Sequence, residues 1–511
     1  MYCSLHFCFV LLTTYNNTLL CFLLQAIPPN IFIIAACNPH RANSLAILDD
    51  QTSIATASKE TWVRGSYYVQ KLPPTFHFLL WDYVALDDEQ EREYIRAKLW
   101  QIDKADVAKI SREKLDKLTH LIAISHNLMR DYAKRHFAED CELGEEEASI
   151  RSQSFVSQRD IQRVFTFYEW LMQMYSTLKP HGDHDDYSHR AVLVALGIVY
   201  YLRLNDMYRK KYRDYLDSIR KTNKQELVFS KAFEMELDWY INHADIPPGI
   251  AKTQALKENL FAIIVCTMTR TPLIIIGPPG SSKTLSFRLA LANLKGECSK
   301  VIQFRTKVFH SLDPHIYQCS RRTTPTELET VFNRAIKRQK TVGLPLYCVV
   351  FMDEVGLPEE KYESLKVLHQ YLDTSDVSFV GITNRPLDAA KSNRAVTLYR
   401  LEPSTEDLLT LTEGCFAPSS DNLPPELLTS ALQKVNRFCP AYSRILRMEL
   451  YHNFFGLRDY IHFIRYLRRN RKHGISPQVI MQALERNFGG TVEFENLCKI
   501  FLSEVSSSQR T

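Results

Sequence analysis

Glycine is scarce, with 16 in 511 residues, which excludes a collagen-like or low-complexity chain. Basic residues are missing from the start. No Lys or Arg precedes Arg41, so the apolar opening lacks the positive region of a secretory leader. That opening also lacks continuity. Phe7–Leu12 and Leu19–Leu24 are parted by Thr13-Thr14-Tyr15-Asn16-Asn17-Thr18, whereas a membrane span needs ~20 consecutive apolar residues. On these residues membrane association stays open. No two of the 12 cysteines are spaced C-x-x-C, so the chain alone builds neither a zinc knuckle nor a RING. Cys266 and Cys348 sit in apolar runs as small hydrophobes, and a reducing, cytoplasmic setting is expected. Neither charge sign dominates. Sixty-three Lys+Arg against 58 Asp+Glu leave +5, which gives no reason to expect a nucleic-acid partner.

What is present is ordinary globular material, 45% hydrophobic and 24% charged. At ~100–200 residues per domain the length allows three or four domains. Ile31–Ala36 is a β-branched apolar run that reads as a buried parallel strand, ended by Asn38-Pro39. Trp62–Leu72 is a second strand candidate. The pattern is helical from Asp87 to about Asp140, followed by an acidic loop over Glu139–Glu147. A further helix starts near Ser157, with Ile161, Val164, Phe165, Tyr168 and Leu171 at helical spacing. Residues 190–243 are again mostly helical, and Ile246-Pro247-Pro248-Gly249 marks a boundary. Beyond it a helix at about 253–269 precedes strands expected at 272–276, 301–304, 346–352 and 377–382, with helices between. That alternation predicts an α/β domain with a parallel sheet. After Pro403 the pattern is helical to the end, with breaks at Pro424 and Pro440. The order suggests one and a half copies of a unit, each an α/β core followed by a helical lid.

Gly277-Pro278-Pro279-Gly280-Ser281-Ser282-Lys283-Thr284 follows a strand and opens a helix, the context of a P-loop. Phosphates need several backbone N–H groups aimed inward, which small residues allow, and the helix N-terminus adds its positive dipole end. Lys283 would reach the β- and γ-phosphates of ATP, and the Thr284 hydroxyl would ligate Mg²⁺. The general pattern has Gly where this chain has Ser282, whose backbone has less freedom. A chance Gly/Ser loop before a helix is the plainer alternative.

Leu346–Met352 runs straight into Asp353-Glu354. Asp353 would hold Mg²⁺ and Glu354 would polarise the attacking water. The bland alternative is a strand ending in a solvated turn. Phe379–Thr383 is another strand, ending in Asn384, which could orient that water or could simply turn the chain before Arg385-Pro386.

These three motifs, in this order and followed by a helical region, resemble the AAA+ ATPases. The stretches GPPGSSKTLS, FMDEVGLPE, GITNRPLDAAKSNRA and FFGLRDY look like the tandem AAA+ core of mysterin-type giant E3 ubiquitin ligases. In that family the P-loop likewise runs Ser-Ser-Lys, so Ser282 fits it. Upstream, IFIIAACNPHR, YYVQKLPP, LLWDYVALDDEQEREYI and VSQRDIQRVFTFYEWL resemble the second half of a preceding AAA+ unit. The resemblance covers most of 27–506, with the strong motifs at 273–460. It implies an AAA+ P-loop NTPase with parallel sheet and helical lid, preceded by the mostly helical C-terminal half of another unit. The implied division is an apolar start at 1–26 outside the fold, a core remnant at 27–86 and its lid and linker at 87–245. A complete core at 250–402, its lid at 403–506 and a tail at 507–511 follow.

By the same resemblance, Lys283, Thr284, Asp353, Glu354 and Asn384 take the roles above. Arg394 stands where an arginine finger reaches the nucleotide of a neighbouring unit, and a solvated Arg at a helix end is the alternative. Arg458 stands at a second-sensor position facing the phosphates of its own unit. Arg159 and Asn38 are the first unit's counterparts to Arg458 and Asn384. The first unit shows no P-loop or acidic pair, so it is not expected to bind nucleotide. Neighbouring AAA+ units are the implied partners, and contact with ubiquitin machinery would go through domains that this chain does not carry. The implied function is ATP binding and hydrolysis with nucleotide state controlling ring conformation; the alternative is a nucleotide-binding scaffold without turnover.

Two other constellations carry less. The stretch from His181 to His189 offers imidazoles and carboxylates but reads as a solvated loop rather than a metal site. The basic run Arg465–His473 complements a helix C-terminus before it argues for phosphate or nucleic acid.

Overall fold

The computed structural model describes residues 8–9, 33–34, 86–105, 111–139, 156–180, 187–219, 227–343, 345–359, 362, 364–387, 389–400, 403–416, 425–448, 455–471, 475–491 and 493–506. The Trp62–Leu72 strand candidate, Asn38, the acidic loop after Glu139 and residues 181–186 of the histidine-rich stretch lie outside them.

β1 (Cys8–Phe9) pairs in parallel with β2 (Ile33–Ile34), the latter within the expected Ile31–Ala36 run. Among the described residues six α-helices follow: α1 (Asp88–Ala105), α2 (Arg112–Glu139), α3 (Gln158–Leu178), α4 (Tyr187–Val199), α5 (Asp206–Ser218) and α6 (Phe229–His243). Local chemistry sets their starts. The Asp87 carboxylate accepts from the Gln90 N–H at 2.8 Å ahead of α1, and Asn205 accepts from the Tyr208 N–H at 3.0 Å ahead of α5. At the start of α3 the Asp160 carboxylate reaches back to the Ser157 N–H at 3.0 Å.

The α/β core begins with α7 (Gln254–Met268), whose N-cap Thr253 accepts from the Leu256 N–H. It continues through β3 (Leu273–Ile276), α8 (Lys283–Asn293), β4 (Ser311–Gln318), α9 (Pro325–Val342), β5 (Leu346–Asp353), α10 (Leu368–Thr374), β6 (Ser378–Thr383), α11 (Ala389–Ser392) and β7 (Val396–Tyr399). The five strands form one parallel sheet in the order β4-β5-β6-β3-β7. Six more helices complete the described chain: α12 (Thr405–Phe416), α13 (Pro425–Asn436), α14 (Phe438–Leu446), α15 (Leu457–Asn470), α16 (Pro477–Phe488) and α17 (Phe494–Ser506).

Three sequence expectations are corrected. Residues 301–304 are not a strand. Ile302–Arg305 is a 3₁₀ turn that buries Phe304 and leaves Ile302 73% exposed. The edge strand is β4, which carries Asp313, Pro314 and His315 and therefore reads as a loop; an edge tolerates proline because one side of the strand donates no ladder hydrogen bond. β7 is four residues long and gave too little pattern to recognise. Pro440 does not break a helix but lies in the first turn of α14, where its missing N–H has no intrahelical partner to lose. The chain breaks instead at Arg437.

Alternation along β3 divides the interior. Leu273 and Ile275 face a core shared with Val349, Phe351, Val380 and Ile382 of the sheet and with the apolar sides of α1–α7. Ile274 and Ile276 face a second core with Val350, Met352, Phe379 and the α9 residues Leu328 and Phe332. A third core, built from α12–α17, holds Phe438, Tyr442, Tyr460, Phe463 and Phe501. Among the described residues no helix is long and apolar enough to cross a membrane.

Candidate functional site

The C-terminal ends of β3, β5 and β6 gather the motif residues. Gly277 leaves β3 with its N–H bonded to the Thr383 carbonyl at 3.1 Å, and a Cβ there would strike the Arg400 side chain at 2.4 Å. Gly280 has φ +94°, and a Cβ on it would meet Leu457 Cβ at 2.9 Å. Glycine is therefore required at both positions, one for close approach and one for backbone as well. Ser282, the departure from the general pattern, adopts φ 60° and ψ 14°. The loop takes the left-handed turn without the glycine, at a strain of about 1–2 kcal/mol. Glu354 is left-handed as well, at φ 55°. Two such residues within one site fit the tendency of backbone strain to collect where chemistry is placed.

Lys283 is buried at the first position of α8. Its ammonium donates to the Gly277 carbonyl, to the Pro278 carbonyl at 2.9 Å and to Asn384 Oδ1 at 2.9 Å. The Asn384 amide in turn donates to Glu354 Oε1 at 2.8 Å. One side chain thus ties the loop lysine to the second carboxylate of the acidic pair. Burial lowers Lys283 from 10.5 to about 8, with Glu354 opposing, Arg458 assisting and Asp353 opposing that shift. Asp353 ends β5, and its backbone carbonyl accepts from the Cys319 N–H at 2.9 Å. Burial pushes the Cys319 thiol up to about 12, with Asp353 and Glu354 adding to the effect, so it stays neutral beside them.

Arg458 is the second residue of α15, beside the loop. A cleft of about 990 Å³ runs between Pro278–Ser282, the lid residues Tyr442, Leu446 and Leu457–Asp459, and a wall that includes Tyr201, Lys210 and Arg213. Arg394 is not drawn into this cluster. Its Nε bonds Asp373 at 2.9 Å beyond the end of α11, and the neighbouring Asn393 carbonyl accepts from Arg163 of α3 at 2.6 Å. Arg159 lies exposed in the first turn of α3.

Sequence reasoning passed over a largely buried group beside the loop. Asn259 donates to the Ser281 carbonyl at 3.0 Å and accepts from Arg400 Nε at 2.7 Å. Arg400 also pairs with Glu258, which receives Arg209 of α5 at 3.1 Å. Burial alone would raise Glu258, yet Arg400 and Arg209 hold it down at about 2. No local pattern announces these residues, because they come from three separate elements. A second cluster, Asp313, His315 and Cys348, brings its donor atoms within 4.8 Å of one another on β4 and β5. Asp313 is already paired with Arg338, and Arg334 and Arg338 both face His315, which disfavours a cation.

A parallel sheet of this order, with a phosphate loop leaving β3 and an acidic pair and a polar residue closing β5 and β6, defines an AAA+ P-loop NTPase fold. Residues 249–407 match the family described as the RNF213 AAA domain. The chain is 30% identical over 526 residues to the E3 ubiquitin-protein ligase RNF213 of Homo sapiens, covering 94% of this chain and 9% of that protein. Against the Mus musculus RNF213 it is 29% identical over 94% of this chain and 10% of that protein. The solved RuvB of Thermotoga maritima covers 46% of this chain and 70% of that one at 13% identity and a TM-score of 0.29, too low to argue from. The resemblance to the mysterin-type AAA+ core is thus shown, and the chain spans about a tenth of the length of these curated relatives.

Proposed function

We propose that this chain is an ATP-binding module that hydrolyses ATP with Mg²⁺. The observation that carries the proposal is Asn384, bonded at once to Lys283 and Glu354 at the mouth of the loop. In this reading Gly277–Ser282 presents N–H groups to the phosphates, and Lys283 exchanges its loop carbonyls for phosphate oxygens. Glu354 accepts a proton from the attacking water, which Asn384 orients. Thr284 and Asp353 fit a hard cation. Both offer oxygen donors, and among the described residues neither side-chain oxygen is held in a hydrogen bond or ion pair. When bound, Mg²⁺ would neutralise charge on the phosphate oxygens. Arg458 would contact the phosphates of its own unit. Arg394 would leave Asp373 to serve the nucleotide of a neighbour, so turnover depends on adjoining AAA+ units.

The division at 1–26, 27–86, 87–245, 250–402, 403–506 and 507–511 belongs to this proposal, as does a cytoplasmic setting. RNF213 proteins carry the name E3 ubiquitin-protein ligase. We place the module within such a ligase, where its nucleotide state would set the arrangement of the units. A second reading, a scaffold that binds ATP without turnover, is motivated by Ser282, which stands where the general pattern has glycine. Phosphate release measured with the neighbouring units present separates the two. Glu354→Gln should keep ATP bound and release none. Parental turnover in that variant would remove Glu354 from the role, and tight binding without release by the unaltered protein would establish the scaffold.

A further inference from the structure

Ser282 N–H and the Ser281 carbonyl belong to one rigid peptide plane. The carbonyl points back into the protein, onto the Asn259 side-chain amide at 3.0 Å. A group that pins that carbonyl therefore restrains φ of Ser282 and aims its N–H in the opposite direction within the same plane. Glycine would need no such help, because it visits positive φ freely. Serine at φ 60° does need it.

The pin is itself held. Asn259 is fully buried, and its second amide atom accepts from Arg400 Nε at 2.7 Å, which fixes the amide's orientation. Arg400 lies against Gly277 and follows β7, with its N–H on the Ile276 carbonyl at 2.7 Å. Glu258 joins Arg400 to Arg209. Arg209 is anchored in turn on the carbonyls of Leu204 at 2.9 Å, Leu202 at 3.1 Å and Tyr399 at 3.2 Å. An uninterrupted chain of hydrogen bonds, half-buried at Arg209 and buried from Glu258 inward, thus runs from the helical region before the core to the peptide that precedes Ser282. Arg209, Glu258 and Arg400 line the cleft beside the loop, whereas Asn259 stays out of it and touches the loop only through the Ser281 carbonyl.

We propose that Asn259 is a positioning residue that holds the phosphate loop in its left-handed turn at Ser282, where the general pattern uses glycine, and that Arg400, Glu258 and Arg209 brace it from the preceding helices. This rests on the nucleotide-binding reading above. It predicts an energetic coupling between two positions: loss of Asn259 should matter while residue 282 is serine and cease to matter when it is glycine.

The test is a four-protein cycle in the full chain, titrated with a fluorescent ATP analogue and Mg²⁺, with thermal melts alongside. Asn259→Ala should weaken binding about tenfold, and Ser282→Gly should stay within about twofold of the parent. The double variant should recover more than half of the lost affinity on a logarithmic scale. Recovery of less than half, or unchanged affinity in Asn259→Ala, would overturn the proposal. A merely structural role would lower the melting temperature without rescue of affinity by glycine. If Asn259→Ala does not fold, Arg209→Lys, which keeps the charge and loses the fork on the three carbonyls, should weaken binding about threefold and be rescued in the same way. Absence of that rescue would equally overturn it. Lys283→Ala run beside the cycle separates the two claims. If it retains binding, the nucleotide reading fails; if it loses binding while the cycle shows no coupling, the positioning inference alone fails.

Discussion

Helices α1–α6 and helices α12–α17 flank the same parallel sheet but are joined to it differently. The first set shares a continuous apolar core with one face of the sheet, so that Leu273, Ile275 and Phe351 belong to the same core as Val194, Leu237 and Tyr240. The second set encloses its own core around Phe438, Phe463 and Phe501 and reaches the phosphate loop mainly through Leu457 and Arg458. A region that shares a core moves with it, because close-packed interiors transmit strain. A region with its own core can change its angle to the sheet while its interior stays intact. On the proposed reading the preceding helices serve as a brace beside the loop and the following helices as a lid over it.

The largest expected effects test that separation. Phe351→Ala removes a ring stacked on Phe287 at 3.9 Å and should cost about 3–5 kcal/mol, loosening the sheet and α1–α6 together. Phe463→Ala, fully buried in the lid, should cost a similar amount yet confine the loss to α12–α17. Hydrogen exchange resolved by segment distinguishes them, and equal opening of the sheet in both variants would break the comparison.

Next in size is Glu258, the carboxylate between Arg400 and Arg209. Glu258→Gln leaves the buried Arg400 and the half-buried Arg209 short of their charged partner and should cost about 3 kcal/mol. In the parent protein its pKa is held down from 4.5 to about 2. A depressed carboxylate stabilises the fold above about pH 4.5, and that contribution of roughly 3 kcal/mol is lost as pH falls toward 2. Denaturant melts between those limits should show the slope in the parent and its reduction in the variant.

A smaller effect sharpens the loop itself. Lys283 sits at about 8 when the site is free, and a bound triphosphate favours its charged form. Affinity should therefore weaken about tenfold between pH 7 and pH 9, with proton uptake on binding. A flat profile would mean that Lys283 does not face the phosphates.

Much of this arrangement is legible in the residues. The loop at Gly277–Thr284, the Asp353-Glu354 strand end and Asn384 each interrupt an apolar run with chemistry that the run does not need, and such interruptions can be read locally. β4 was misplaced because an edge strand carrying Pro314 and alternating polar residues lacks the buried signature of its neighbours. The brace was invisible for a different reason. Glu258 and Asn259 look like ordinary polar positions of a helix, Arg400 like a charged residue after a strand, and Arg209 like one cation in the basic helix α5. What makes them a unit is the topology, which sets β7 and α7 beside the loop, and no spacing in the chain encodes that.

The most direct test is calorimetric titration of a non-hydrolysable ATP analogue with Mg²⁺ into the chain and its Lys283→Ala variant. One site per chain in the parent, with affinity reduced by about a hundredfold or more in the variant, is the predicted result. Equal affinity in the two proteins would contradict it, since the loop that begins at Gly277 would then not be where the triphosphate lies.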